Sequence, residues 1–183
     1  MLLTIFDSIP DHRRKEGRMY DLSHLLLFSM LGILSGARSY RQLHTFFKIR
    51  LKVLKKHFKV KWKKPPAYST IRVVLQNIDT KDLEKAFREY SALITKLDGK
   101  DNVFISLDGK VLRGSFDHFE DKAAMQLFSV FLGGQDIILA HETIAENKTN
   151  EIPIAQQLIE ELELTGCILT LDALHCQKKL SKP

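Results

Sequence analysis

The sequence predicts a mixed α/β protein in which a small helical part precedes a part built around a β-sheet. Three observations support this fold class. Apolar residues recur at helical spacing through most of the first hundred residues. After them, short apolar runs and one amphipathic helix follow in the order strand, hairpin, helix, strand. Between the two parts, the polar stretch from Lys96 to Asn102 (KLDGKDN) is typical of a linker.

The helical part contains four helices according to its capping residues and apolar periodicity. Gly36 ends the first of them, and the segment from Phe58 to Lys64 (FKVKWKK) alternates as an extended chain with a basic face. The predicted N-cap residues are Asp21 or Ser23, Ser39, Ser69 or Thr70, and Asp79 or Thr80. The apolar stripe predicted for the last helix contains Leu83, Phe87, Tyr90, Leu93, Ile94 and Leu97.

The second part begins with VFISL, an apolar run that predicts a buried strand ending at Asp108. Gly133-Gly134 predicts the turn of a β-hairpin, because it separates two runs rich in apolar residues. A helix beginning near Glu151 and ending at Gly166 precedes CILTL, a last strand that ends at Asp172. Such a helix between two strands is typical of a crossover to a parallel neighbour.

The charge of the chain is unevenly distributed. Its net charge is +6, but residues 1–78 contain 16 basic and 4 acidic residues, whereas residues 79–183 contain 12 basic and 18 acidic residues. No Asp or Glu occurs from Leu22 to Ile78. This polarity indicates that the helical part binds a nucleic acid through phosphate contacts, as a helix-turn-helix-like module would; the alternative is that the lysines form a solvated face. The candidate DNA contacts are Lys48, Arg50, Lys52, Lys55, Lys56, Lys59, Lys61, Lys63 and Lys64.

Composition argues against several classes of protein. The longest apolar run, Leu22 to Leu34, is interrupted by polar residues and is too short to span a bilayer. The N-terminus does not resemble a secretory signal. Cys167 and Cys176 form no metal-binding cluster and are most simply reduced thiols. We therefore expect a cytoplasmic protein with no membrane partner.

Asp108 and Asp172 are the candidate catalytic and metal-binding residues. If the two strands that precede them are parallel neighbours, both carboxylates emerge at the same edge of the sheet. Two close carboxylates repel each other unless a cation lies between them, and Mg²⁺ prefers oxygen ligands of this kind. Asp108 is followed by Gly109, so a simple turn at Asp-Gly is the alternative explanation for this position.

Four stretches of the chain resemble the DDE transposases of the H repeat-associated insertion-sequence family. They are DHRRKEGRMYDLSHLLL from Asp11, LDGKVLRGS from Leu107, KTNEIP from Lys148 and TLDALHCQ from Thr170. The stretches occur in the family's order and extend over nearly the whole chain. The resemblance implies that residues 1–97 form a transposase-associated helical domain and that residues 98–183 form an incomplete catalytic domain of the RNase H-like fold.

The resemblance also implies an activity. Asp108 and Asp172 match the first two metal-binding acids of a site in which three carboxylates hold two Mg²⁺ or Mn²⁺ ions, roughly 4 Å apart, for DNA strand cleavage and transfer. Lys110 and Arg113 would neutralise nearby phosphates. The alternative is that both residues are simply surface cations. The partners implied are insertion-sequence ends and either a second copy of the chain or an intact transposase.

The family's third acid lies well beyond the second, whereas this chain ends 11 residues after Asp172. We therefore expect a truncated, inactive copy that binds metal poorly. The alternative is a non-catalytic DNA-binding remnant that competes with intact transposase. Glu151 is the substitute third acid, although an acid at that point also suits the start of a helix capped by Asn150.

Several other polar and aromatic residues admit a structural explanation. Trp62 could stack on DNA bases or lie in the core. Cys176 has no evident basic partner for nucleophilic chemistry. The histidines are expected to be core, surface, strand-face or turn residues rather than a zinc site, and they are His24, His44, His57, His141 and His175.

Overall fold

The computed structural model describes residues 1–95, 103–112, 125–144, 152–164 and 166–171. The chain divides into two compact units, Met1–Ala86 and Phe87–Pro183, which we call the first and the second unit. This division falls inside a helix, whereas the sequence suggested a boundary after residue 97. The predicted linker, Lys96 to Asn102, lies outside the described residues, and the assignment of functional domains stays a prediction.

The mixed α/β fold class is confirmed. Six α-helices and four strands occur within the described residues, together with a short 3₁₀ turn at Lys15–Gly17. In chain order, the elements are α1 (Leu2–Asp7), α2 (Leu22–Leu34), α3 (Tyr40–Phe58), α4 (Tyr68–Gln76), α5 (Thr80–Ile94), β1 (Val103–Val111), β2 (Gln126–Leu132), β3 (Ile137–Ile144), α6 (Ile152–Glu161) and β4 (Cys167–Leu171). No helix in the described ranges is both long enough and apolar enough to cross a membrane.

Local capping signals place three helix ends of the first unit. The Ser39 hydroxyl accepts a hydrogen bond from the Gln42 backbone N–H at 3.2 Å and caps α3 as predicted. The carboxylate of Asp79 accepts one from the Lys81 N–H at 2.8 Å before α5. Gly36 follows α2 with a φ of 94°, a conformation that glycine adopts without strain.

Two predicted boundaries in this unit are wrong. Helix α4 begins at Tyr68, ahead of Ser69, and its N-cap position is Ala67, whose side chain makes no capping bond. The segment after α3 is irregular rather than a strand, because Lys59 adopts the left-handed conformation and ends the helix. The predicted alternation nevertheless holds, since Val60 and Trp62 are buried while Lys61 is exposed.

The core of the first unit is built around Phe28, which is fully buried on α2. Its ring contacts the rings of Phe47, Phe58 and Trp62 with centroid separations of 6.1, 5.3 and 5.4 Å. Trp62 is only 4% exposed, and its indole N–H donates to the Asp21 carboxylate at 3.3 Å. The burial of Trp62 supports the prediction that this residue lies in the core and argues against stacking on DNA bases.

The loop that precedes α2 is held together by the side chain of Arg13. The Arg13 guanidinium donates two hydrogen bonds to the Asp11 carboxylate, at 2.8 and 2.7 Å. It also donates to the backbone oxygens of Gly17 and Tyr20 at 3.1 and 2.8 Å. The hydrogen bond from Arg13 lowers the pKa of Asp11, with further contributions from the charges of Arg13 and Arg18. Asp11 therefore stays ionised and keeps the loop closed.

Replacing Arg13 by alanine is expected to lower the free energy of unfolding of the first unit by about 1–3 kcal/mol, because several charge-assisted hydrogen bonds disappear together. Arg14→Ala removes the same charge from an exposed neighbour and should change it by less than about 0.5 kcal/mol. Urea unfolding monitored by the fluorescence of Trp62, the one tryptophan of the chain, measures both variants. Equal losses of stability for the two variants would contradict the structural role of Arg13.

The second unit contains a four-stranded sheet with the order β3-β2-β1-β4. β1 and β2 are antiparallel, as are β2 and β3, whereas β1 and β4 are parallel. The predicted hairpin, the helix that follows it and the parallel pairing of the first and last strands are therefore confirmed. Helix α6 packs against one face of the sheet, where Ile105, Val130 and Leu158 are fully buried.

Two strand and helix ends in this unit differ from the prediction. β1 does not end at Asp108 but continues to Val111, because pairing with β2 extends from Ile105 to Val111. The turn reading of Asp108-Gly109 is therefore wrong. α6 ends at Glu161 rather than at Gly166, after which Glu163 adopts a positive φ of 50°.

The second half of α5 packs against β3, an end strand of the sheet. The Ser91 hydroxyl donates to the backbone oxygen of Ile138 at 2.8 Å. Arg88 pairs with Glu142 of β3 at 3.5 Å and also with Glu161 of α6. Polar side chains, Arg88 and Ser91, therefore lie on the side of α5 that faces β3. The predicted stripe is therefore partly wrong: Ser91 is buried, and Leu93 is 62% exposed.

Candidate functional site

Asp108 lies on the sheet face opposite to the α6 core. Side chains alternate along a strand, so Ser106, Asp108 and Lys110 share one face of β1 while Ile105 and Leu107 are buried on the other. Asp108 is exposed. A rigid strand with pairing on both sides up to Leu107 thus holds Asp108 at the surface.

An open cavity of about 570 Å³ surrounds Asp108 on this face. Hydroxyl groups from three strands line it, namely those of Ser106 on β1, Ser129 on β2 and Thr170 on β4. Phe131 and Ile138 supply its apolar part. The cavity therefore combines one carboxylate with several neutral oxygen donors, a set that suits a hard divalent cation.

Ser129 and His141 extend this polar surface across the sheet. Asp108 pairs with Ser129, and Ser129 pairs with His141, so the three residues form a row on adjacent strands. The Ser129 hydroxyl and His141 Nδ1 share a hydrogen bond of 3.1 Å, and the imidazole stacks on Phe87 with ring centroids 5.3 Å apart. His141 is a strand-face residue, as predicted. Ser129 was not among the residues predicted from the sequence, because its position beside Asp108 depends on the register of β1 and β2.

The parallel register of β1 and β4 bears directly on the predicted carboxylate pair. Its last described pair is Leu107 with Leu171, and these two residues immediately precede Asp108 and Asp172 in the sequence. Asp172 itself lies outside the described residues, as do Glu151 and Arg113. Within the described ranges, no group of three or more His, Cys, Asp or Glu side chains is arranged to hold a metal ion.

The candidate DNA-binding cations of the first unit lie on α3 and on the segment that follows it. Lys55 is half-buried. The exposed members are Lys48, Arg50, Lys52, Lys56, Lys59, Lys61, Lys63 and Lys64, and Lys110 of the second unit is exposed as well. Their exposure leaves them accessible to phosphates, but their role in DNA binding stays a prediction.

The histidines of the first unit are not brought together as a metal site. His44 Nδ1 donates to the backbone oxygen of Pro66 at 2.8 Å, which ties α3 to the start of α4. His24 lies in the aromatic core beside Phe28, and His57 is exposed on α3. These positions agree with the core and surface roles predicted for them. His175 and Cys176 lie outside the described residues.

Comparison with known proteins identifies relatives of the chain. Residues 3–91 match the family model described as DDE_Tnp_1-associated. The protein named "Putative transposase YncI" from Escherichia coli (strain K12) is 31% identical over 180 residues, which make up 98% of this chain and 71% of that protein. The protein of the same name from Escherichia coli O157:H7 is 32% identical, with 98% of this chain and 45% of that protein aligned.

A third relative is "H repeat-associated putative transposase YhhI" from Escherichia coli (strain K12). It is 28% identical over 174 residues, which make up 95% of this chain and 45% of that protein. The chain thus spans about half the length of two of these three relatives and about seven tenths of the other. No solved structure matches the chain significantly. The alignment of nearly the whole chain with the YncI protein of strain K12 establishes that the chain belongs to this family of putative transposases, among which the third relative is named H repeat-associated.

Proposed function

We propose that the chain binds double-stranded DNA through its first unit and that its second unit contributes Asp108 and Asp172 to a divalent-metal site for DNA cleavage and strand transfer. In this proposal, the DNA is the end of an insertion sequence and the sheet belongs to an RNase H-like domain. A role on chromosomal or element DNA implies a cytoplasmic location. The relatives are named as transposases, and the proposal extends that role to specific residues of this chain.

The observation that carries the proposal is the register between β1 and β4. In a parallel pair, residues at successive positions remain neighbours, at a strand separation of about 4.8 Å. Leu107 and Leu171, which form the last described pair, immediately precede Asp108 and Asp172 in the sequence. Continuation of this register by one residue would bring the two acids side by side, where two carboxylates favour a cation between them.

The donor groups around Asp108 fit a magnesium or manganese ion. They are a carboxylate and three hydroxyls, with no thiol among the residues that line the cavity. When bound, a divalent ion would supply Lewis-acid activation of water or of a 3′-hydroxyl and stabilise charge on phosphate oxygens. Asp108 and Asp172 would fix its position, and Glu151 is the candidate for a third carboxylate. Lys110, on the same strand face as Asp108, would hold a DNA phosphate near the cavity, as would Arg113.

A nicking and binding assay with the unmodified chain tests the proposal. The sequence alone leads us to expect an inactive copy that binds metal poorly. The proposed site, with Asp108, Asp172 and Glu151 as ligands, instead predicts nicking that requires Mg²⁺ or Mn²⁺, together with salt-sensitive binding to duplex DNA. Log–log plots of affinity against salt should be steep, because each neutralised phosphate contributes a slope of about −0.9. Salt-sensitive binding with no nicking would favour the non-catalytic, competing role. Absence of DNA binding at low salt would refute the proposal for the first unit.

A further inference from the structure

Four cations of α3 occupy one side of the helix. At about 100° per residue, Arg41, Lys48, Lys52 and Lys55 fall within about 60° of the helix circumference. The first three are exposed and Lys55 is half-buried. We call these four residues the cationic row. It extends over about 21 Å of the helix axis, since each residue adds about 1.5 Å.

The cationic row has no internal counter-charge in the described part of the chain. None of the ion pairs found there involves its four members. Lys52 instead has like-charged neighbours one turn away on both sides, namely Lys48, Lys55 and Lys56. Like charges at this spacing destabilise a helix. The three lysines of the row are therefore unfavourable in the free protein and gain stability beside a polyanion, whereas the Arg41 guanidinium lies over the Tyr68 ring, 5.5 Å from its centroid.

We propose that the cationic row lies along the phosphate backbone of double-stranded DNA and forms the principal DNA contact of the first unit. This inference rests on the DNA binding proposed above and assigns it to one helix face. Each strand of B-DNA carries a phosphate about every 3.4 Å of its axis, so every cation in a row of this length has a phosphate within reach. Contacts of this kind set affinity and register without selecting a base sequence.

Lys85 provides a matched control in the first unit. It is exposed on α5, outside the stretch from Leu22 to Ile78 that contains no Asp or Glu. Its neighbours at one-turn spacing carry two positive and two negative charges, so attraction and repulsion balance along α5; they are Lys81, Asp82, Arg88 and Glu89. Lys85→Gln and Lys52→Gln therefore remove the same charge from the same type of residue on two different helices.

The test measures DNA affinity, its salt dependence and thermal stability for both variants in the full chain. Lys52→Gln should weaken binding to a 20-base-pair duplex about three- to fivefold and reduce the magnitude of the salt slope by about 0.9. At low salt it should also raise the Tm of the first unit by about 2–5 °C, because three repulsive pairs are removed while helix propensity stays nearly equal. Lys48→Gln should change affinity and salt slope in the same direction.

Lys85→Gln should change the affinity less than about 1.5-fold and leave the salt slope unaltered, since it touches no phosphate in this arrangement. Equal losses of affinity for Lys52→Gln and Lys85→Gln would overturn the inference, because binding would then depend on total charge alone. In that case the proposed DNA binding would survive. A wild-type chain that does not bind the duplex at low salt would overturn both proposals.

Discussion

Replacing Phe28 by alanine is expected to lower the free energy of unfolding of the first unit by about 3–5 kcal/mol. The Phe28 ring is fully buried and lies in contact with three aromatic rings from α3 and the following segment. Its removal eliminates these contacts and leaves a cavity that the surrounding rings fill only in part. A loss of this size is a large fraction of the total stability of a small domain, about 5–15 kcal/mol.

Trp62 makes this prediction directly measurable. Its indole packs 5.4 Å from Phe28, so its fluorescence reports the integrity of the same core. Urea titrations should show an earlier unfolding midpoint for Phe28→Ala. Leu34 lies at the end of the same helix and is 76% exposed. Leu34→Ala should therefore leave the unfolding midpoint nearly unchanged. A loss below about 1 kcal/mol for Phe28→Ala would contradict the central position of this ring.

Replacing Asp108 by asparagine is expected to reduce metal-dependent nicking at least about 100-fold, since a metal ligand contributes several kcal/mol of transition-state stabilisation. The same variant should weaken Mn²⁺ binding, measured by electron paramagnetic resonance, at least about tenfold. The measurement of Mn²⁺ binding does not depend on a complete catalytic site. Asp108 is exposed, so the free energy of unfolding should change by less than about 0.5 kcal/mol.

Asp136→Asn is the matched control for this substitution. Asp136 is exposed in the β2–β3 turn, and its replacement by asparagine removes the same charge from the same unit. Its φ is 54°, a conformation that asparagine accepts readily. Mn²⁺ affinity that falls equally in both variants would indicate a diffuse electrostatic effect and would remove Asp108 from the proposed metal site.

The local parts of the fold were predictable because they depend on neighbouring residues. Ser39 caps α3 through a bond three residues away, and Gly36 ends α2 through its own backbone freedom. The β2–β3 hairpin followed from Gly133-Gly134 between apolar runs, and the strand after α6 from a short apolar run. Each of these signals acts within a few positions of the chain, where periodicity and capping chemistry operate.

Strand length and cross-strand partners were less predictable. Asp108, Gly109 and Lys110 have the composition of a turn, yet antiparallel hydrogen bonding with β2 keeps them in β1. The pairing of Ser129 with His141 depends on an irregularity between Val130 and Phe131, which shifts the register by one residue. Counting back from the turn would instead have placed Ala140 opposite Ser129.

The sequence by itself determined the mixed α/β class, the basic character of the first 78 residues and the two acids that follow apolar runs. These are properties of composition and periodicity. Only the tertiary structure decided that β1 and β4 pair in a register ending at Leu107 and Leu171, and that Trp62 belongs to the core. The physical reason is that strand pairing and burial arise between residues far apart in the chain, whose contacts no local pattern specifies.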